Sequence, residues 1–393
     1  MFYTIGLTIL GAALLTTVFV DVYATILRAT KRSGPISENL NRLVWFLATR
    51  IAKNFERRWR HRFLTSIGPM LMPVLVSLFI LMLIAGFALI YYPRIETSFN
   101  LGDKTHSESF AQSFYFSGVT LLTIGYGDIQ PRTTSMRLMA LLEGASGLAV
   151  LSLSITYLLT VYGALERKRA VALNFYHQAR QGADVPNFIT LHFARGQFYG
   201  LTNALKDATR ELHELLESHI EHPVIHYFHP LEVYKGLPRV IFVMLETVTI
   251  LRSCLDSKEY VEAGDHPDVA IAEDSVRHVL NELLTALNLE KRAAVEFENE
   301  IEEESRRKNC FRRAMRELSK SGVKLRTDQR AAFGEYSKRR EEWETKLYYF
   351  ADFLGYDWDE VTGDRDFADA IDDEVEERHD QIEMPQRHEE HQI

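Results

Sequence analysis

Three long stretches of the chain lack charged punctuation. Residues 1–20 carry no charge, and the apolar run resumes after Asp21 as far as Leu27. Residues 63–93 are uncharged between Arg62 and Arg94, and residues 138–165 hold a single ionisable side chain, Glu143. A helix needs roughly 20 apolar residues to cross a hydrocarbon core about 30 Å thick. Each stretch therefore predicts a membrane-spanning helix. A cleaved leader in place of the first would need a basic residue ahead of the apolar run and a small-residue cleavage site after it. No basic residue precedes Arg28 and no persuasive cleavage site follows, so a retained helix is expected.

Between the first two spans, Val44, Leu47, Ile51, Phe55 and Trp59 recur at helical spacing, with Arg50, Lys53, Arg57 and Arg60 on other faces. That pattern predicts an amphipathic helix lying in the membrane interface. Residues 109–128, between the second and third spans, read SFAQSFYFSGVTLLTIGYGD. Ser109 and Gln112 have capping-box spacing, so a helix is expected over 110–122. Thirteen residues make about 20 Å of helix, too short to cross, so the segment must enter and turn back. Non-helical backbone at membrane depth survives only where protein covers it or where it lines water.

From residue 165 onward helical periodicity dominates, as in the stripe Val276, Val279, Leu280, Leu283 and Leu287. Residues 238–251 are apolar but short, and include Arg239 and Glu246, so a core helix is expected there and not a span. Loop signals fall at residues 182–186, 222–238, 264–267 and 321–327.

Composition changes this picture only when it is divided. The 393 residues carry 45 Lys+Arg, 54 Asp+Glu and a net charge of −9, which resembles a soluble chain. Residues 1–164 hold 14 basic and 8 acidic residues, a net of +6. Residues 165–393 hold 31 and 46, a net of −15. Two parts with different solvents join near residue 164. From 28 to 62 there are ten Lys/Arg and two acids, and from 93 to 132 three and four. The positive-inside rule then places 28–62 in the cytoplasm, the N-terminus and 93–135 outside, and the acidic half in the cytoplasm, in a plasma or inner membrane. The ten cations either enforce topology alone or bind anionic lipid over 42–62. Only Cys254 and Cys310 occur, which excludes a disulfide framework and fits a reducing compartment.

The returning segment Thr123-Ile124-Gly125-Tyr126-Gly127-Asp128 matches the selectivity-filter motif of potassium channels. The chain over roughly 69–164 resembles the tetrameric pore-loop potassium channel family of the prokaryotic type. The resemblance implies an outer helix (69–92), a pore helix (110–122), a filter (123–127) and an inner helix (136–164). It also implies a homotetramer, K⁺ as permeant ion and no other cofactor. Physically, a dehydrated K⁺ needs rings of oxygens, and backbone carbonyls supply them when all point to one axis. Alternate residues must then visit positive φ, which Gly125 and Gly127 permit. By the same resemblance, Tyr115 and Phe116 support the filter tyrosine, and Asp128 belongs to the filter's support. Leu122 stands where many members have Thr, and Val119 where some have a Glu that braces the aspartate, which puts filter rigidity in question.

In the third span, Gly147 occupies the family's bending position, with Gly144 nearby. Close helix packing by small residues is the alternative. Leu148, Leu151, Ile155 and Leu159 share a stripe that can face the cavity and close it by dewetting. Glu143, an acid within a span, is expected to find a polar partner near the pore helix. Five histidines (His213, His219, His222, His226 and His229) lie within seventeen residues. They read as solvated or core residues, with a metal site as the alternative. Asp357 and Asp359 begin a calcium-loop pattern that Val361 and Thr362 break. No Gly-x-Gly-x-x-Gly opens a βαβ unit, and no hydrolase constellation appears, so neither an enzyme nor a nucleotide-binding regulatory domain is expected. Nothing indicates nucleic acid.

The expected chain is an all-α membrane protein: a spanning helix (1–28), a basic interfacial segment (29–68), a channel pore domain (69–164), a helical cytoplasmic domain with an unknown ligand or regulator (165–355), and a disordered acidic tail (356–393). The function expected is a potassium-selective channel. The alternatives are a weakly selective cation channel and a non-conducting membrane-anchored scaffold.

Overall fold

The computed structural model describes residues 2–28, 33–101, 109–179, 184–293 and 300–364. The chain forms two compact units. The first is Met1–Arg167 with Leu215–His229; the second is Lys168–Glu214 with the chain from Pro230 onward. The return of Leu215–His229 to the first unit is not visible in the sequence pattern.

The first unit is built on α1 (Phe2–Val22), α2 (Pro35–Ala52), α3 (Arg57–Tyr91), α4 (Ser109–Leu121) and α5 (Thr134–Gln178, whose residues from Lys168 belong to the second unit). The helices at Phe2–Leu27, Arg57–Ser98 and Thr134–Gln178 are long and apolar enough to cross a membrane. The protein is thus an all-helical membrane protein. Helix α1 packs along α3 through small residues. A Cβ on Gly11 would stand 2.5 Å from the Gly86 carbonyl, and one on Gly86 would stand 2.7 Å from Leu15. Without a hydrophobic drive between helices in lipid, such close backbone approach supplies the packing.

Helix α1 ends in a π-helical turn, Tyr23–Leu27, and buries Asp21 completely. An acid in a spanning helix must find partners. Here the Asp21 carboxylate accepts the backbone N–H groups of Ile36 and Ser37 and the hydroxyls of Ser37 and Thr25. It satisfies the first orphan donors of α2, acting as a cap from a neighbouring helix.

The interfacial segment is two pieces, not the single helix expected. α2 stops at Ala52, and Phe55 and Trp59 fall beyond it, around the start of α3. Leu43, Phe46, Leu47, Ile51, Phe55 and Trp59 are all exposed, whereas Trp45 and Ala48 on the opposite face are buried. α3 begins at Arg57, twelve residues before the outer helix was expected, and contains Pro69 and Pro73. α5 runs through the Glu166–Arg169 charges to Gln178, well past 164.

The second unit is also helical, with one two-residue hairpin pairing Phe193–Ala194 and Gln197–Phe198. Among the described residues its longer helices are α6 (Val185–Leu191), α7 (Leu201–Glu221, whose last turns belong to the first unit), α8 (Leu237–Cys254), α9 (Pro267–Ala286), α10 (Glu300–Lys320), α11 (Gln329–Glu341), α12 (Glu344–Phe353) and α13 (Trp358–Thr362). α8 is buried on every face, as its all-round apolarity requires. Its Glu246 is met by the Tyr336 hydroxyl and by the buried Arg340, whose Nε donates to Glu344 at 2.7 Å. Arg307 Nε donates to the other Glu344 oxygen at 2.6 Å. Cys254 and Cys310 are buried and free, and burial pushes the Cys254 thiol up to about 12.

The disordered tail expected over 356–393 starts too early. Tyr356, Trp358 and Val361 are buried, and Trp358 packs on Phe242 and Tyr348. Asp357 and Glu360 form a capping box on α13. The expectation for 365–393 lies outside the described residues.

Candidate functional site

The short helix α4 ends at Leu121, one residue before the expected bound. The chain then turns and returns. The Val119 carbonyl accepts N–H groups from Ile124 (2.9 Å) and Gly125 (3.3 Å), anchoring the start of the returning segment to the last turn of α4. Along that segment Thr123, Gly125 and Gly127 have φ of 58°, 63° and 79°. Left-handed backbone thus alternates with ordinary backbone from 123 to 127. Glycine takes this conformation freely; for Thr123, a β-branched residue, it is strained, and strain of this kind concentrates at functional sites. The Gln130 amide donates to the Gly127 carbonyl at 2.9 Å, closing the far end. Beyond it, Phe99–Asn100 pairs antiparallel with Gln130–Pro131.

The side chains of this segment have little cover from their own chain. Tyr126 is 70% exposed and Ile124 50%. Of the two aromatic residues expected to support Tyr126, Tyr115 donates its hydroxyl to Asp128 at 2.9 Å. This supplies a brace for Asp128 from another position than Val119. The buried ring of Phe116 packs edge-on against Tyr91 and Phe99, with centroids 5.2 and 5.0 Å apart. Adjacent positions on a helix point about 100° apart, so the two rings meet different neighbours within the chain.

Glu143 is fully buried on α5. It accepts a hydrogen bond from the Tyr91 hydroxyl of α3 at 2.8 Å and another from the Ser117 hydroxyl of α4. Ser117 also lies 3.0 Å from the Ile84 carbonyl. One carboxyl group therefore ties three helices together behind the 123–127 segment. Tyr91, Ser117 and Gln130 were not singled out from the sequence. Ser117 had a signal, a hydroxyl inside an aromatic half-helix; Tyr91 read only as the end of an apolar run.

Gly147 lies against the end of α4: a Cβ there would overlap the Leu121 carbonyl. At Gly144 the nearest atom would be the Thr120 carbonyl at 3.7 Å, an ordinary contact. α5 runs unbroken through both glycines. Leu148, Ile155 and Leu159 are exposed along one stripe, at 62, 61 and 68%, and Leu151 is half-buried.

Among the described residues no group of three or more His, Cys, Asp or Glu side chains is placed to hold an ion. His219, His226 and His229 are buried.

Comparisons with known proteins fit this geometry. Residues 77–163 match the family model described as an ion channel. An uncharacterized membrane protein of Bacillus subtilis (strain 168), YdjJ, is 26% identical over 283 residues, covering 72% of this chain and 79% of that one. No solved structure matches the chain significantly. The matched residues span the apolar part of α3, the short helix α4 with its returning segment, and the apolar part of α5 in this all-helical membrane protein.

Proposed function

We propose that the protein is a potassium-selective channel that conducts passively through a ring of four chains. The observation that carries this reading is the alternation of left-handed backbone at Thr123, Gly125 and Gly127. Alternating conformations turn successive carbonyls towards one side, and carbonyls of Thr123, Ile124, Gly125 and Tyr126 stacked around an axis replace the water shell of K⁺. The Thr123 hydroxyl adds the lowest oxygen ring. Closure of each ring needs several chains, since each chain has one such segment. The exposure of Tyr126, Ile124 and the stripe Leu148, Ile155 and Leu159 supports an assembly that covers the first two and encloses the third around a water-filled path. The C-terminal end of α4 directs its negative dipole end toward that path, which favours cations.

In this reading Asp128, Tyr115 and Glu143 hold the filter's shape, and Leu148, Leu151, Ile155 and Leu159 form an apolar gate. The basic residues at 28–62 face the cytoplasm, and the exposed apolar side of α2 rests among lipid tails, with Arg50, Arg58 and Arg62 at anionic headgroups. The second unit modulates the pore from the cytoplasm. The test is flux from liposomes containing the purified full-length protein: K⁺ efflux is expected, with Na⁺ largely excluded. Equal passage of both ions would select the weakly selective channel, and no passage the non-conducting scaffold.

A further inference from the structure

The first turns of α10 meet the junction of α11 and α12 around two side chains one helical turn apart, Glu303 and Arg307. Arg307 donates to Glu344 at 2.6 Å and to Glu341 at 2.7 Å. Arg340 donates to the other Glu344 oxygen at 2.7 Å, to the Tyr336 hydroxyl at 2.5 Å and to Glu246 at 3.3 Å. Both guanidinium groups are thus committed to groups other than Glu303. Glu303 is only 8% exposed, and its Oε2 has no hydrogen-bond partner among the described residues. Further along α10, Phe311, Ala314 and Leu318 are buried, and Phe311 packs on Phe333 and Tyr336, with centroids 5.4 and 5.5 Å apart. Apolar packing therefore holds α10 from Phe311 onward, whereas Glu303 and Arg307 seat its first turns through polar groups.

We infer that the first turns of α10 are a proton-controlled latch in the second unit: they stay seated while Glu303 is protonated and lift towards water when it ionises. Three buried acids, Glu246, Glu303 and Glu344, crowd around Arg307 and Arg340, and the arginines are bonded to only two of them. A buried carboxylate whose oxygen meets no donor is costly, and the neutral acid avoids most of that cost. Lifting the first turns hydrates the charge while Phe311 and the residues after it stay packed. A proton is then an effector of the second unit.

The groups facing Glu303 agree with this direction. Burial first, then the Glu344 charge of α12, push its carboxyl up to about 7. Arg307 and Arg306 of α10 and Arg340 of α11 pull the other way without overcoming them. Tyr348 of α12 also faces Glu303, and burial raises its hydroxyl above the ordinary tyrosine value, so it stays neutral near pH 7. Once lifted into water, Glu303 returns to an ordinary value of 4.5. The seated form is therefore fully favoured below that value. It loses about tenfold against the lifted form for each pH unit from there to about 7, and loses no more once both forms are ionised.

Any effect of the latch on the pore rests on the channel reading, but the latch is tested without ion flux, so the two can fail separately. Amide hydrogen exchange of residues 304–308 is measured in the full-length wild-type protein at about pH 6 and about pH 8, corrected for intrinsic exchange, with the amides of α8 as the reference for unfolding of the whole unit. Exchange of 304–308 is expected to be about tenfold faster at the higher pH, and faster than that of α8 at both values. In Glu303→Gln the side chain keeps its size and stays neutral, and the two pH values are expected to give the same rate. An unchanged rate in the wild type overturns the inference, whether or not the variant folds. Equal acceleration in Glu303→Gln overturns it as well, and so does exchange of α8 as fast as that of 304–308, which would make the opening global.

Discussion

The Tyr115 hydroxyl donates to Asp128 at 2.9 Å, bridging the short helix α4 to the residue that follows the 123–127 segment. The bond spans thirteen residues and fixes the far end of a backbone whose near end is pinned to Val119. Tyr115→Phe keeps the ring and removes the bridge. The loss is about 1 kcal/mol, because the acceptor is charged but the pair is partly exposed. Sustained K⁺ flux is expected to decay about fivefold sooner, since 1.4 kcal/mol corresponds to tenfold. The K⁺ preference should not change. Flux time courses in liposomes check this, and identical decay in both proteins counts against a bracing role.

The two glycines of α5 separate packing from bending. Gly147→Ala drives a methyl group into the Leu121 carbonyl, and overpacking of that kind costs about 1–3 kcal/mol. Gly144→Ala meets only an ordinary contact. Thermal unfolding of the purified protein should fall for the first substitution and stay level or rise for the second. Equal effects would return the bending role of Gly147 to the foreground.

Glu143 holds Tyr91 and Ser117 together. Glu143→Gln still accepts one hydrogen bond but offers an N–H where a second hydroxyl now donates. Glu143→Leu leaves both hydroxyls to find new partners, at about 1–3 kcal/mol for each buried group left unsatisfied. Assembly and thermal stability should drop in that order, Gln less than Leu, while the K⁺/Na⁺ permeability ratio stays the same. A large change in that ratio would show that Glu143 acts on selectivity directly.

In the second unit, burial and the neighbouring Glu344 charge push the Glu303 carboxyl up to about 7, against the pull of Arg307. A carboxyl raised in the folded state favours folding most when protonated. Its contribution is complete below its unfolded value near 4.5 and is lost as the pH climbs through about 7. The unfolding temperature should therefore decline from about pH 5 to about pH 8, and Glu303→Gln should flatten that decline. Parallel profiles for the two proteins would assign the effect to other groups.

The spans, the re-entrant helix and the returning segment were legible because lipid admits few solutions. An uncharged stretch of sufficient length must be helical, and a Gly-x-Gly spacing announces where φ turns positive. The direction of a side chain depends on helical phase and on a partner distant in sequence, so Phe116 facing Tyr91, and Glu143 meeting both Tyr91 and Ser117, could not be read locally. Asp21 looked like a mere interruption of an apolar run, because the α2 N-terminus it caps lies beyond a turn. The break at residues 53–56 escaped notice for a related reason: hydrophobic spacing continued across it to Trp59. Trp358 and Tyr356 were lost in an acidic average, although their aromatic rings carried the signal of a core. The return of Leu215–His229 to the first unit is a tertiary fact that periodicity does not record.

The most direct test of the central claim is the membrane potential of liposomes holding the full-length protein under opposed K⁺ and Na⁺ gradients, with Gly125→Ala alongside. The account predicts a potential that follows the K⁺ gradient and collapses in the variant, where a Cβ burdens the left-handed backbone at φ 63°. A potential that follows both ions equally in the wild type, or that survives unchanged in Gly125→Ala, would contradict it.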